Sequence, residues 1–252
     1  MTREFKSLKQ CFDRLRLKTV AENWDTIATE MTNISQDTEE FLVRLLKAEI
    51  DRRDTNLQNR RLVSAKFSGC KTIENFDFNE IKSLDKNLIL QLREGSYIQE
   101  NMNIMFVGDI GTGKTHLSID FGLQACRLKY SVKFYKAIDL ANILLEQANH
   151  NNIQNYISYL SKIDLLILDG FASIPFSKIA ADYLFQIIEN RYEKKSTIVS
   201  TNVDLDKWVS TFNFSSPITN LLDHLIHHCH IINMNEESFR VKQQLRKLKT
   251  TC

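Results

Sequence analysis

A chain of 252 residues can bury a full domain core and still carry a smaller appendage. Its 43% hydrophobic and 25% charged residues are ordinary for a globular protein, and a formal net charge of +2 excludes any argument for a polyanionic partner from overall charge alone. No apolar run reaches the length of a membrane span, Met1 to Gln10 is too polar for a signal sequence, and five scattered cysteines without a C-x-x-C pair read as reduced thiols. A cytoplasmic protein without a membrane partner is expected.

From Phe5 to about Phe67 there is neither proline nor glycine, and apolar residues recur at helical spacing: Leu8, Cys11, Phe12 and Leu15, then Val20, Trp24 and Ile27, then Phe41, Leu42, Leu45, Leu46 and Ile50. This predicts about three amphipathic helices, with a break at Ser35 to Glu39. Charge turns one-sided in the last of them, where Arg44, Lys47, Arg52, Arg53, Arg60, Arg61, Lys66 and Lys71 outnumber Glu49, Asp51 and Asp54. Such a stripe suits a phosphate backbone; it equally suits a solvated face with i,i+4 pairs such as Glu49 with Arg53. The residues alone leave both readings open. Phe67 to Phe78 reads as a linker, and Asn79 to Arg93 as a helix with Ile81, Leu84, Leu88 and Leu92 on one face and Gly95 as its stop.

The next stretch carries chemistry. Gly108-Asp109-Ile110-Gly111-Thr112-Gly113-Lys114-Thr115 fits G-x-x-x-x-G-K-[ST] at every required position and takes three of the seven glycines in the chain. Glycines let the backbone turn so that successive N–H groups form an anion-binding nest, reinforced by the following helix N-terminus. Lys114 would then reach the β/γ-phosphates of a nucleotide and Thr115 would hold Mg²⁺, with His116 closing the nucleotide-binding stretch. The flanks agree, since Asn103 to Val107 reads as a buried strand and Lys114 to Lys129 as a helix.

Val132 to Tyr135 is a predicted strand, Ile138 to Gln147 and Ile153 to Leu160 are predicted helices, and Leu165-Leu166-Ile167-Leu168-Asp169 follows. Four aliphatics ending in an aspartate, about 55 residues after Lys114, form a Walker B pattern that would deliver the Asp169 carboxylate to Mg²⁺. A helix from Ser177 to Lys194 and a strand from Thr197 to Ser200 then set Asn202 at a strand end, where open α/β sheets bind ligands. Pro217 opens a last segment with Ile218, Leu221, Leu222 and Leu225 on one face. His224 and His228 have the i,i+4 spacing of a helical metal pair, but no carboxylate or cysteine pair completes the site, so no metal is expected there. The tail from Arg240 to Lys249 is basic.

Taken together the chain resembles the AAA+ ATPases of the IstB type, transposition helper proteins of two-gene insertion sequences that are similar to the helicase loader DnaC. The resemblance rests on Gly108 to Thr115, Leu165 to Asp169, Ile188 to Tyr192 with Ser196 to Ile198, Asp206-Lys207-Trp208, Leu222-Asp223 with Leu225 and His227, and Glu237-Ser238-Phe239-Arg240. It implies an α/β fold: a P-loop NTPase (AAA+) parallel sheet flanked by helices in residues 68–252, preceded by a small all-α domain in residues 1–67 that binds DNA or a partner. It further implies Asn202 at the sensor-1 place, Arg240 at the sensor-2 place, ATP and Mg²⁺ as cofactors, homo-oligomers on DNA bound without sequence reading, and a transposase as partner. A replicative helicase as partner, or a degenerate nucleotide-binding remnant, are the alternatives. Two positions depart from the family pattern. Gly170 stands where a second acid usually activates water, and His224 follows Asp223 where an arginine is expected. Tight ATP binding with slow turnover is the expectation, with Arg191 as the nearest substitute charge unless it is a structural arginine at a helix end.

Overall fold

A computed structural model describes residues 8–32, 38–81, 83–173, 177–205, 207–208 and 224–235. The chain divides into two compact units, Met1–Arg60 and Arg61–Cys252, and the division falls inside one long helix.

The first unit holds α1 (Leu8–Arg14), α2 (Lys18–Thr32) and the start of α3 (Thr38–Ala65). The Phe12 and Trp24 rings pack with centroids 5.6 Å apart, and Val20 and Leu45 are buried. The expected apolar face of α3 is corrected in part: Leu46 and Ile50 are 46% and 58% exposed, while Glu49, one turn on from the buried Leu45, is only 2% exposed. The inward face is set by an ion pair instead. Arg53 Nε donates to Glu49 Oε1 at 2.7 Å, and the other carboxylate oxygen accepts from the Thr19 amide at 3.0 Å, in the first turn of α2. There the helix has unpaired N–H groups and a partial positive charge. Burial works against ionisation of Glu49, but the bonds from Arg53 and Thr19 outweigh it and hold the carboxyl below its usual range. Two arginines of the basic stripe, Arg52 and Arg53, thus serve Glu49.

The second unit is built on a parallel sheet of β1 (Asn103–Val107), β2 (Val132–Lys136), β3 (Leu165–Asp169), β4 (Ser196–Thr201) and β5 (Cys229–Asn233), in the order β2-β3-β4-β1-β5. Between the strands run α6 (Lys114–Arg127), α7 (Ala137–Asn149), α8 (Ile153–Lys162) and α9 (Lys178–Arg191), with α4 (Lys86–Arg93) and α5 (Ser96–Gln99) ahead of β1. Because side chains alternate along a strand, each central strand feeds two cores. Met105, Leu166, Leu168 and Val199 pack with α7, α8 and α9, whereas Ile104, Phe106, Leu165, Ile167 and Ile198 pack with α4, α5 and α6. Burial on both faces explains why these strands read as unbroken apolar runs.

Two elements differ from the sequence reading. The helix expected from Asn79 begins only at Lys86, because the Asp85 side chain accepts from the amides of Asn87 and Leu88 and starts the helix there. Residues 73–75 and 78–80 form 3₁₀ turns instead. Strand β5 was not anticipated. Among the described residues it lies at the sheet edge with β1 as its one strand neighbour, and of Cys229 to Asn233 only Ile232 is buried, so no apolar run advertises it.

Candidate nucleotide site

Strand β1 ends at Val107, and the loop from Gly108 to Gly113 leads directly into α6. Gly108 has φ +155°, and a Cβ there would sit 2.4 Å from the Met234 carbonyl oxygen, so only glycine allows the two backbones to pass this closely. Inside the loop, Lys114 Nζ lies 2.7 Å from the Gly108 carbonyl and 2.5 Å from that of Asp109, and the Thr112 hydroxyl donates to the Asp109 carbonyl at 2.9 Å. The lysine, 9% exposed, therefore bridges the carbonyls of the turn.

Thr115 Oγ1 donates to Asp169, at 2.9 and 3.0 Å from its two carboxylate oxygens. The strand register explains the meeting: β3 and β1 flank β4, and their carboxyl ends finish at one edge of the sheet. Ser200 Oγ donates to Asp169 Oδ1 at 2.5 Å and accepts from the Gly170 amide at 3.0 Å, which fixes the carboxylate. Asn202 follows β4 at the same edge, and its Oδ1 accepts from Ser173 Oγ. Thus Gly108, Lys114, Thr115, Asp169 and Asn202 come from three strand ends, as the sheet topology requires.

The segment read as a linker contributes to the site from the side. Phe76 stacks edge-on against His116 at 5.4 Å, and a Cβ on Gly113 would lie 2.6 Å from its ring. His116 Nε2 is 2.7 Å from the Thr72 carbonyl oxygen. Asn75, Phe76, Ile81, Gly111, Thr112 and His116 line a groove beside the phosphate loop. Sequence reasoning missed this wall; Phe76 and Phe78, alternating with polar residues ahead of the glycines, were its only trace. Behind it, Asp120 of α6 is 1% exposed and takes a 2.7 Å bond from Arg93 Nε and one of 2.9 Å from the Ile73 amide.

Other candidates lie elsewhere. Arg240, Asp223 and the basic tail fall outside the described residues. Arg191 is 1% exposed and is spent on main-chain carbonyls, so it is not a surface charge available to a neighbouring molecule. His224 stacks on Tyr192 at 4.4 Å, near the turn that leads into β4 and so at the end of the sheet away from the phosphate loop.

A family model described as IstB-like ATP binding protein matches residues 11–247. The protein named as the ATP-binding protein of insertion sequence IS232 from Bacillus thuringiensis subsp. berliner is 30% identical over 98% of this chain and 99% of its own length. Its counterpart in IS5376 of Geobacillus stearothermophilus is 33% identical, with 92% of each chain covered. Among solved structures, the DnaC helicase loader is similar in fold, with a TM-score of 0.51 and 22% identity over 59% of this chain and 86% of that one.

Proposed function

The chain belongs to the family of IstB-like ATP binding proteins, and we propose that it is an ATP-dependent helper of transposition that assembles with ATP on DNA and recruits or regulates a transposase. The observation that carries the reading is the meeting of a complete phosphate loop with a Thr115–Asp169 pair at one sheet edge, in a chain whose relatives along their whole length belong to insertion sequences.

In this reading the loop amides from Gly108 to Thr115 and the Lys114 ammonium receive the β- and γ-phosphates, with Lys114 exchanging the carbonyls of its own loop for phosphate oxygens. The groove walled by Phe76, Ile81 and His116 takes the nucleoside end. A hydroxyl and a carboxylate about 3 Å apart are hard oxygen donors of the kind Mg²⁺ accepts alongside water and phosphate, so Thr115 and Asp169 would hold that ion. When bound, Mg²⁺ neutralises charge on the phosphates. Asn202, positioned by Ser173, faces the γ-phosphate end, and Arg240 is proposed to reach it from the C-terminal segment. The arginines and lysines of α3 outside the Glu49 cluster contact the DNA backbone, which explains binding without base recognition.

Nucleotide-dependent assembly is the test. With the full chain, ATP and Mg²⁺ should drive formation of large complexes on duplex DNA, seen by sedimentation, and ADP should not. Lys114→Ala should weaken ATP binding about 10- to 100-fold, as expected for loss of a charge-assisted bond, and abolish the assembly. Unchanged ATP affinity in Lys114→Ala would remove the loop from the nucleotide site. Assembly that ignores nucleotide would leave an ATP-binding protein without the proposed switch. A replication helicase as partner is the alternative; the likeness to DnaC, at 22% identity, carries the fold only and does not favour it. A transposase gene beside the reading frame favours the first reading, and a replication gene the second.

A further inference from the structure

At the end of the sheet opposite the phosphate loop, two turns converge. Glu193 lies between α9 and β4, and His227 and His228 lie just before β5. Since β4 and β5 both pair with β1, with Ile104 opposite Ile198 on one side and His230 on the other, the starts of the two strands flank it. One ligand atom from each of Glu193, His227 and His228 lies within 4.8 Å of the others. His228 Nε2 is 2.9 Å from Glu193 Oε1, and His227 Nδ1 is 2.9 Å from the Tyr192 hydroxyl. The two imidazoles stand edge to face at 4.5 Å.

We propose that Glu193, His227 and His228 form a binding site for a divalent transition-metal ion, zinc by preference, separate from the nucleotide site. Two imidazoles and one carboxylate are the donor set that zinc takes where it keeps a fourth position open; magnesium and calcium select oxygen donors throughout. Zinc bonds of about 2.0–2.1 Å at tetrahedral angles put ligand atoms about 3.4 Å apart. The spacing in this cluster closes to that by rotation of side chains that are partly in solvent, His228 being 40% and Glu193 54% exposed. When His227 Nδ1–H donates to the Tyr192 oxygen, the ring is oriented and the Nε2 lone pair is left for the metal, a supporting bond that zinc histidines commonly have. At His228 the ion takes the place of the hydrogen shared with Glu193 on Nε2, and the neutral ring then carries its proton on Nδ1. The fourth position opens to solvent and accepts water or a donor from another molecule. Bound zinc would cross-link the turn before β4 to the residues just before β5, whose strand partner among the described residues is β1.

The competing reading is a plain Glu193–His228 ion pair, and metal analysis separates the two. The full chain, free of affinity histidines and stripped with chelator, is dialysed against micromolar zinc and assayed for bound metal; cobalt(II) is titrated in parallel. One zinc per chain should be retained, and cobalt should show the intense visible absorption of a four-coordinate site. Glu193→Gln and the double variant His227→Ala/His228→Ala should each lose at least about tenfold in zinc affinity, by analogy with the cost of removing even a supporting residue. Lys114→Ala, at the other end of the sheet, should bind zinc as the natural chain does. Glu193→Gln changes only the charge of an exposed side chain, so its result does not depend on refolding. No retained zinc, or equal retention in the double variant, overturns the proposal.

Discussion

Arg191→Ala is expected to lower the thermal midpoint of the protein by about 10 °C or more, measured by circular dichroism on the full chain. The guanidinium is buried and donates through Nη1 to the carbonyls of Leu160 and Ile163, both at 2.7 Å, through Nη2 to that of Ser196 at 2.5 Å, and through Nε to the Thr197 hydroxyl at 3.1 Å. One planar group therefore ties the end of α8, the approach to β3 and the start of β4 together. Burial pulls its pKa down to about 9, with Asp164 acting in the other direction, so it remains charged at neutral pH. Truncation to alanine leaves several buried carbonyls without donors, at about 1–3 kcal/mol each, and a cavity besides. A total on the order of 4–5 kcal/mol is a large share of the 5–15 kcal/mol that typically separates folded from unfolded states. Arg191→Lys should also lose most of this, because an ammonium cannot reproduce the planar fork. A normal thermal midpoint with lost ATP turnover in Arg191→Lys would instead make this arginine a catalytic group acting on a neighbouring subunit.

Gly170→Glu is expected to raise ATP turnover by about tenfold or more while leaving ATP affinity within a few fold, read as phosphate release with and without DNA. A positioned general base typically contributes 10²–10⁴-fold, and position 170 directly follows Asp169 at the sheet edge beside Ser173 and Asn202. There is room for the change: a Cβ on Gly170 meets nothing closer than the Ser173 hydroxyl at 3.8 Å. The backbone is the opposing factor, since φ is +71° and a non-glycine residue there costs roughly 1–2 kcal/mol. That strain is smaller than the gain a base provides, so a net rise is expected. If the natural chain already turns over ATP at the pace of efficient ATPases and Gly170→Glu adds nothing, the missing carboxylate is not what limits the reaction.

The parts of the site that were legible in the sequence are contiguous ones. Gly108 to Thr115 spells out a turn that only glycines can make, flanked by a strand and a helix. Leu165 to Asp169 is a strand buried on both faces, so its five residues carry their own signature. The order of strands and helices followed from the switch between these two periodicities. Where the reading failed, a polar contact decided against the apolar spacing, local at Asp85 and partly distant at Glu49. Asn79 to Asp85 has helical spacing, yet Asp85 caps a later start. Leu46 and Ile50 belong to an apolar stripe by spacing, yet they are exposed while Glu49, one turn on from the buried Leu45, is buried because its partners lie on α2 and on the next turn.

What the sequence determined by itself is therefore the phosphate loop and the central strands, since each is set by residues within a few positions of one another; the departure at Gly170 is visible only against the family resemblance. Tertiary structure alone decided that Arg191 is a buried tie rather than a surface charge, because its acceptors are carbonyls up to 31 residues away and every residue has a carbonyl. It decided as well that the histidines before β5 have a carboxylate beside them: Glu193 is 35 residues from His228, and the two are neighbours only because β4 and β5 pair on either side of β1.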